Sequence, residues 1–272
     1  MENEISLYEV LVKTSYQTQI TLPEDKLCEN PVGYGSGFIV VYQNEKFFIT
    51  ADHTLHIDDH SKENEKRTGK EHLISINNNY SPPENFLSTV VTPLGGFYFM
   101  EKFNIDKPDD DSVLIDITLC KMKEMHFQYP FLTEEIRFPH ETIKGKEPKI
   151  YITEECFSEP KIDKNYFVFG RIRPRMVDIL LHREHTIKEN LKFISKSGDY
   201  LLFYTSSIIT DNEDWEGLSG SPVLSEDGEC VGVFCSVLKD SKSVWVMPIA
   251  MVKLLLEVAI KQEELKKIKP TK

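Results

Sequence analysis

Short runs of β-branched and aromatic residues, cut by Gly, Pro and Asp, recur along most of this 272-residue chain. They stand at 33–42, 45–51, 73–77, 86–92, 96–103 and 113–120, then at 148–153, 165–172, 175–182, 199–206, 222–225, 230–238 and 243–248. Short strands at that spacing build barrels or sandwiches. The first two flank the polar pair Gln43-Asn44 and read as a hairpin. After Pro248 the period changes. Ile249, Val252, Leu255, Leu256, Ala259 and Ile260 recur at helical spacing, which predicts one amphipathic helix over 249–267 docking on the second half.

The segments between carry weaker signals. Residues 5–13 read as a β-rich opening segment, followed by a polar stretch to about residue 32. Residues 58–72 are almost wholly polar or charged and read as a solvated loop, because little there can offset the entropy of ordering. His60 and His72 lie in that loop with no second metal ligand at a recognisable spacing. An Asp-rich turn at 106–111 precedes the 113–120 strand, and a proline-punctuated stretch at 122–147 suits a linker.

Bulk properties exclude some functions. A formal charge of −12 and a pI near 5.2 disfavour polyanions, so no nucleic-acid partner is expected. No apolar run spans a bilayer and the first residues lack a secretory pattern, so neither a membrane nor a leader is expected. Five cysteines (Cys28, Cys120, Cys156, Cys230 and Cys235) match no zinc spacing. Cys120, Cys230 and Cys235 sit in apolar contexts and read as buried free thiols of a cytoplasmic protein.

Three positions carry chemistry when taken together. Ser219 sits in Gly217-Leu-Ser-Gly-Ser-Pro222, a turn whose glycines permit conformations closed to other residues. A serine so held exposes its hydroxyl while backbone N–H groups converge nearby, as acyl transfer requires. Glycine-serine turns before strands are commonly structural, so context decides. His53 ends the strand Phe-Phe-Ile-Thr-Ala, and Asp116 interrupts the apolar strand 113–120. A carboxylate flanked by Ile115 and Ile117 needs a partner if the strand is internal, and an imidazole N–H is a suitable one.

Joined, these motifs resemble the trypsin-like, chymotrypsin-fold serine peptidases. Thr50-Ala-Asp-His53 matches the family's Thr-Ala-x-His, Asp116-Ile-Thr-Leu119 its Asp-Ile-Ala-Leu, and Gly217–Pro222 its Gly-x-Ser-Gly-x-Pro. Gly35-Ser-Gly-Phe-Ile-Val is similar to the bacterial HtrA-like branch. The resemblance implies an all-β chain of two antiparallel β-barrels with a C-terminal α-helix. Its expected parts are a first barrel over 1–130, a linker over 131–147, a second barrel over 148–248, and a helix and tail over 249–272. It implies Ser219 as nucleophile, His53 as base and Asp116 as the group holding the imidazole tautomer. The backbone N–H groups of Gly217 and Ser219 would form the oxyanion hole. No metal or cofactor is required.

The same resemblance places substrate-binding residues at Glu213, Asp214, Cys235, Ser236, Val237 and Ser243. Asp211, Glu213, Asp214 and Glu216 crowd one wall, so a preference for basic residues before the scissile bond is expected, with Glu213 at the pocket base. A solvated acidic loop is the alternative. Two departures from the family pattern stand out. Leu218 occupies the place where many members carry an aspartate that pairs with a newly cut N-terminus, and Thr54 replaces the cysteine after the histidine. Control by that cut is therefore not expected. An activator or a dedicated target protein is the candidate partner besides a protein or peptide substrate. The loosest analogy is with defence-associated bacterial proteases. The rival from another class is a silent pseudoprotease that binds peptides in the same cleft.

Overall fold

The computed structural model describes residues 5–26, 30–61, 64–65, 67–69, 72–79, 90–103, 112–123, 135–145, 147–171, 175–177, 180–182 and 185–268. Cys28, the turn at 106–111 and the start of the expected 86–92 strand lie outside these residues. The chain opens with a helix, α1 (Leu7–Thr14), where a β-rich segment is expected. Ser6 caps it, its hydroxyl accepting the Glu9 N–H at 3.0 Å. Ser-x-x-Glu is a capping-box sequence, and Leu7, Val10 and Leu11 recur at helical rather than strand spacing.

The first unit is a curved sheet. Its strands are β1 (Ser15–Thr21), β2 (Pro31–Tyr42), β3 (Glu45–Thr50), a small hairpin of β4 (His60–Ser61) and β5 (Asn64–Glu65), then β6 (Leu73–Asn79), β7 (Val90–Leu94), β8 (Phe97–Lys102) and β9 (Val113–Lys121). The order β7-β6-β1-β2-β3-β9-β8 makes a half-barrel, with β4 and β5 outside it. Gln43 and Asn44 both take positive φ, +49° and +62°, as a two-residue hairpin turn matched to strand twist requires. Alternation then sorts the side chains of β2 and β3. Phe38, Val40, Phe47 and Ile49 enter one core, whereas Ile39 and Phe48 enter another with Tyr16 and Ile76. Each such buried side chain contributes about 2 kcal/mol.

Next come β10 (Ile136–Arg137), β11 (Thr142–Ile143) and β12 (Ile152–Thr153), the last paired in parallel with β2. Ile136 and Ile143, within the expected linker, are buried in the core shared by both units. The second unit contains β13 (Tyr166–Arg171), the hairpin β14 (Arg175–Val177) and β15 (Leu180–His182), β16 (His185–Ser197), β17 (Tyr200–Ile209), β18 (Pro222–Ser225), β19 (Cys230–Val237) and β20 (Ser241–Pro248). Six of these close into a barrel in the order β13-β16-β17-β20-β19-β18. The expected strand at 175–182 is thus two short strands.

Helix α2 (Ile249–Ile268) forms where expected. It packs on β19 and β20 of the second unit, but also on β8 and β9 of the first. Tyr98 donates to Glu263 at 2.5 Å along that second contact. The chain is therefore mostly β, a half-barrel and a closed barrel with a terminal helix bridging their back. Among the described residues, Cys120, Cys156, Cys230 and Cys235 are free thiols, and no helix is long and apolar enough to cross a membrane.

Candidate active site

His53 and Asp116 are brought together by neighbouring strands. β3 pairs with β9 through Thr50 and Thr118, so the 3-10 turn after β3 (Asp52–Thr54) reaches Asp116. The His53 ring Nδ1 lies 2.9 Å from both carboxylate oxygens, and the His53 backbone N–H donates to Oδ1 at 3.0 Å. Ile115 and Ile117 bury the strand around Asp116, so this pairing answers the cost of its charge. Burial opposes the ionised Asp116, yet the His53 charge and the hydrogen bonds from its ring and backbone lower its pKa. Burial likewise opposes the imidazolium, but Asp116 outweighs it and, helped by Asp52, raises His53 above the usual imidazole value. The His53 side chain remains 31% exposed, open to a ligand.

Ser219 comes from the other unit, between a 3-10 turn (Glu213–Trp215) and β18. Trp215 to Leu218 form a β-turn closed by Leu218 N–H donating to Trp215 O at 3.2 Å. Glu216 at φ −60°, ψ 132° followed by Gly217 at φ +89° gives the type II form, which needs glycine at its third position. A second turn follows at once. Ser221 N–H donates to Leu218 O at 2.9 Å, with Gly220 at φ +92°. Among the described hydrogen bonds, the N–H groups of Gly217 and Ser219 have no acceptor, as donors for an oxyanion would not. Leu218 is fully buried in the barrel core beside Trp215 and Phe234, whose rings stack at 5.7 Å. Leu218 thus anchors the turn by apolar packing.

The Ser219 hydroxyl donates to the Cys235 carbonyl at 2.8 Å. No hydrogen bond joins it to His53 among the described residues. Cys235 links both halves of the site, because its thiol also lies 3.8 Å from the Asp116 carbonyl oxygen. Burial, with the Asp116 charge, keeps that thiol protonated, and burial pushes the Cys120 and Cys230 thiols up to about 12. None of these three is a thiolate nucleophile.

Ser36 on β2, which lies in the Gly35-Ser-Gly motif but is given no role by it, joins the two units at the Ser219 turn. Its N–H donates to Ser219 O at 2.8 Å and its hydroxyl to Gly217 O at 2.6 Å. Its own carbonyl accepts from Thr50 Oγ1 at 2.6 Å, and Thr50 contacts Thr54 at 2.9 Å. The sequence sign of Ser36 is its place in the family-like Gly35-Ser-Gly motif, a small polar residue between two glycines on a strand. Ser36→Ala leaves the Gly217 carbonyl without this donor, while the backbone bond to Ser219 O remains, and so loosens the turn that presents the two N–H groups. We expect a stability loss of about 1 kcal/mol by thermal unfolding, with a slower reaction of Ser219 with active-site probes.

The expected substrate-binding residues divide. Cys235 touches Ser219, and Val237 and Ser243 lie on the adjacent strands β19 and β20. Glu213, Asp214 and Ser236 are exposed. Asp214 lines a cavity of about 420 Å³ opposite Lys188, whose ammonium lies 4.6 Å from the Trp215 ring centroid. Burial lowers the Lys188 pKa, against the pull of Asp214. A different cavity, about 270 Å³, opens on His53 and Ser219 and is walled by Val32, Tyr34, Ile57 and Glu216. The segment after His53 corrects the expectation of a solvated loop. His60 and Arg67 of that segment, with His56, are half-buried around the fully buried Asp52 carboxylate. Among the described residues, no group of three His, Cys, Asp or Glu side chains could hold a metal ion.

No family model and no curated protein matches the chain. Among solved structures, a serine endoprotease from Yersinia pestis is similar over 93% of this chain at 12% identity, with a TM-score of 0.47. The chain spans 65% of the length of that structure. Deg5 is similar over 90% of this chain and 88% of its own, at 11% identity and a TM-score of 0.47.

Proposed function

We propose that this chain is a serine endopeptidase. The observation that carries the reading is the His53–Asp116 pair at 2.9 Å facing a serine turn whose two glycines hold two unengaged N–H groups. The Ser219 hydroxyl turns from Cys235 O to the ring Nε2 of His53, which takes its proton as the oxygen attacks a peptide carbonyl. Asp116 keeps the Nδ1 proton in place and stabilises the imidazolium. The N–H groups of Gly217 and Ser219 receive the oxyanion, each such donor being worth on the order of 3 kcal/mol. His53 then protonates the leaving amine, and water repeats the sequence to release the acid.

Glu216, which walls the cavity at His53 and Ser219, supports a preference for Lys or Arg before the cut, which a peptide-library profile without such a preference would refute. A second reading, a peptide-binding module without turnover, draws on the Ser219 hydroxyl bonding to Cys235 O instead of His53. A fluorophosphonate separates the two. The peptidase reading expects covalent labelling of the wild type that disappears in Ser219→Ala. Absence of labelling under any condition, with or without candidate activators, favours the binding module.

A further inference from the structure

The turn carrying His53 is backed by a cluster that the reaction scheme does not use. Asp52, directly before His53, is fully buried. Its Oδ1 receives His56 Nδ1 at 2.9 Å, and its Oδ2 receives His60 Nε2 at 2.7 Å and the Arg67 guanidinium at 2.6 Å. Arg67 is held in turn by Asp59 at 3.2 Å and by Glu101 of β8 at 3.5 Å, and it lies 4.0 Å over the Phe99 ring. Asp59 accepts from the N–H and hydroxyl of Thr68 at 2.8 and 2.6 Å. Residues 56, 60 and 67 are thereby gathered around one carboxylate. That gathering brings one of them against the imidazole itself. The His60 ring stands edge-on to His53, with centroids 6.2 Å apart.

We propose that Asp52 is a positioning residue for His53, its carboxylate gathering His56, His60 and Arg67 into a clasp that braces the His53 ring. This rests on the peptidase reading, in which His53 is the base. Asp116 fixes the ring by hydrogen bonds at Nδ1, but a third of the side chain faces solvent, so a second wall is needed to hold its tilt. His60 is that wall. The clasp also sets charge. The ionisable groups facing His53 are Asp116 from β9, Asp52 and His60 from the clasp, and Glu216 across the cavity. Those facing Asp52 are His56, His60 and Arg67, with Asp59 and Glu101 beyond. Burial penalises the Asp52 charge, but its three donors hold its pKa well below the usual carboxylate range, so it stays anionic and favours the imidazolium of His53.

Two variants and two readouts test this. Asp52→Asn removes the charge. His60→Gln keeps a donor for Asp52 while removing the bracing ring. Histidine NMR titration of full-length protein reads the His53 midpoint, and fluorophosphonate labelling reads the reactivity of Ser219. We expect Asp52→Asn to move the His53 midpoint to lower pH, a change that loss of packing alone would not produce. Both variants should slow labelling, by up to about a hundredfold if the ring shifts by an ångström. The proposal is overturned if both variants fold, label at the wild-type rate and leave the His53 midpoint in place. If Asp52→Asn does not fold, His60→Gln decides by its labelling rate. If the wild type is not labelled at all, the peptidase reading fails by itself, and the His53 midpoint in Asp52→Asn still decides the clasp.

Discussion

Asp116→Asn will lower peptide hydrolysis by on the order of 10⁴-fold while leaving the fold intact. The asparagine oxygen can keep the bond from the His53 backbone N–H, now 3.0 Å long, so the turn after β3 stays seated. Its amide then faces Nδ1 with a donor. The neutral ring must accept there, which puts the ring proton on Nε2 and leaves no lone pair for the Ser219 hydroxyl. The pH profile supplies a second test. Asp116 raises the His53 pKa, and the reaction needs neutral His53, so wild-type activity falls as pH drops through that raised value. Without the carboxylate charge the residual activity should persist to lower pH. Initial rates on a fluorogenic peptide from pH 5 to 9 measure both effects. A variant with near-wild-type rates would remove Asp116 from the scheme.

Gly220→Ala should abolish the site. A methyl at residue 220 would stand 2.0 Å from Ser36 O and 2.1 Å from Thr50 Oγ1, and the first of these is backbone that cannot yield cheaply. The φ of +92° adds strain, about 1–2 kcal/mol for a residue with a side chain. Gly228→Ala is the matched control, because it shares a positive φ of +80° but meets nothing within 4 Å. Denaturant midpoints should show a modest loss for Gly228→Ala. For Gly220→Ala we expect a much larger one, with no probe labelling of the folded fraction. Equal losses in the two variants would mean that the contact with Ser36 is unimportant.

Much of this arrangement is legible in the sequence because it rests on local rules. An aspartate inside Val-Leu-Ile-Asp-Ile needs a partner wherever that strand goes, and two glycines around Leu-Ser announce positive φ. Even the C-terminal helix declares itself by its period. The missed parts depend on neighbours distant in sequence. β16 reads His-Thr-Ile-Lys-Glu-Asn, with Leu191 its one fully buried side chain among largely exposed ones, and it is a strand because β13 and β17 need a partner to close the barrel. β1 is polar yet wholly buried, since β2 and β6 flank it. His60 and Arg67, within 58–72, read as solvent-facing charge because composition cannot tell that they converge with His56 on the Asp52 carboxylate. Helix α1 is a different failure. Its Ser6–Glu9 cap and the three-and-four spacing of Leu7, Val10 and Leu11 are local signals that outweigh the β-rich composition of residues 5–13.

The stitch from Ser36 to Ser219 and Gly217 also bears on how such a chain survives its own synthesis. On the proposed scheme the base and its carboxylate, His53 and Asp116, belong to the first unit and the nucleophile, Ser219, to the second, and Ser36 completes the serine turn only when the two halves meet. A nascent or partly unfolded chain, with its cleavable loops exposed, therefore has no assembled centre with which to cut itself or its siblings. For a peptidase, dividing the chemistry between two folding units makes destructive capacity the last property to emerge and the first to vanish when the halves part.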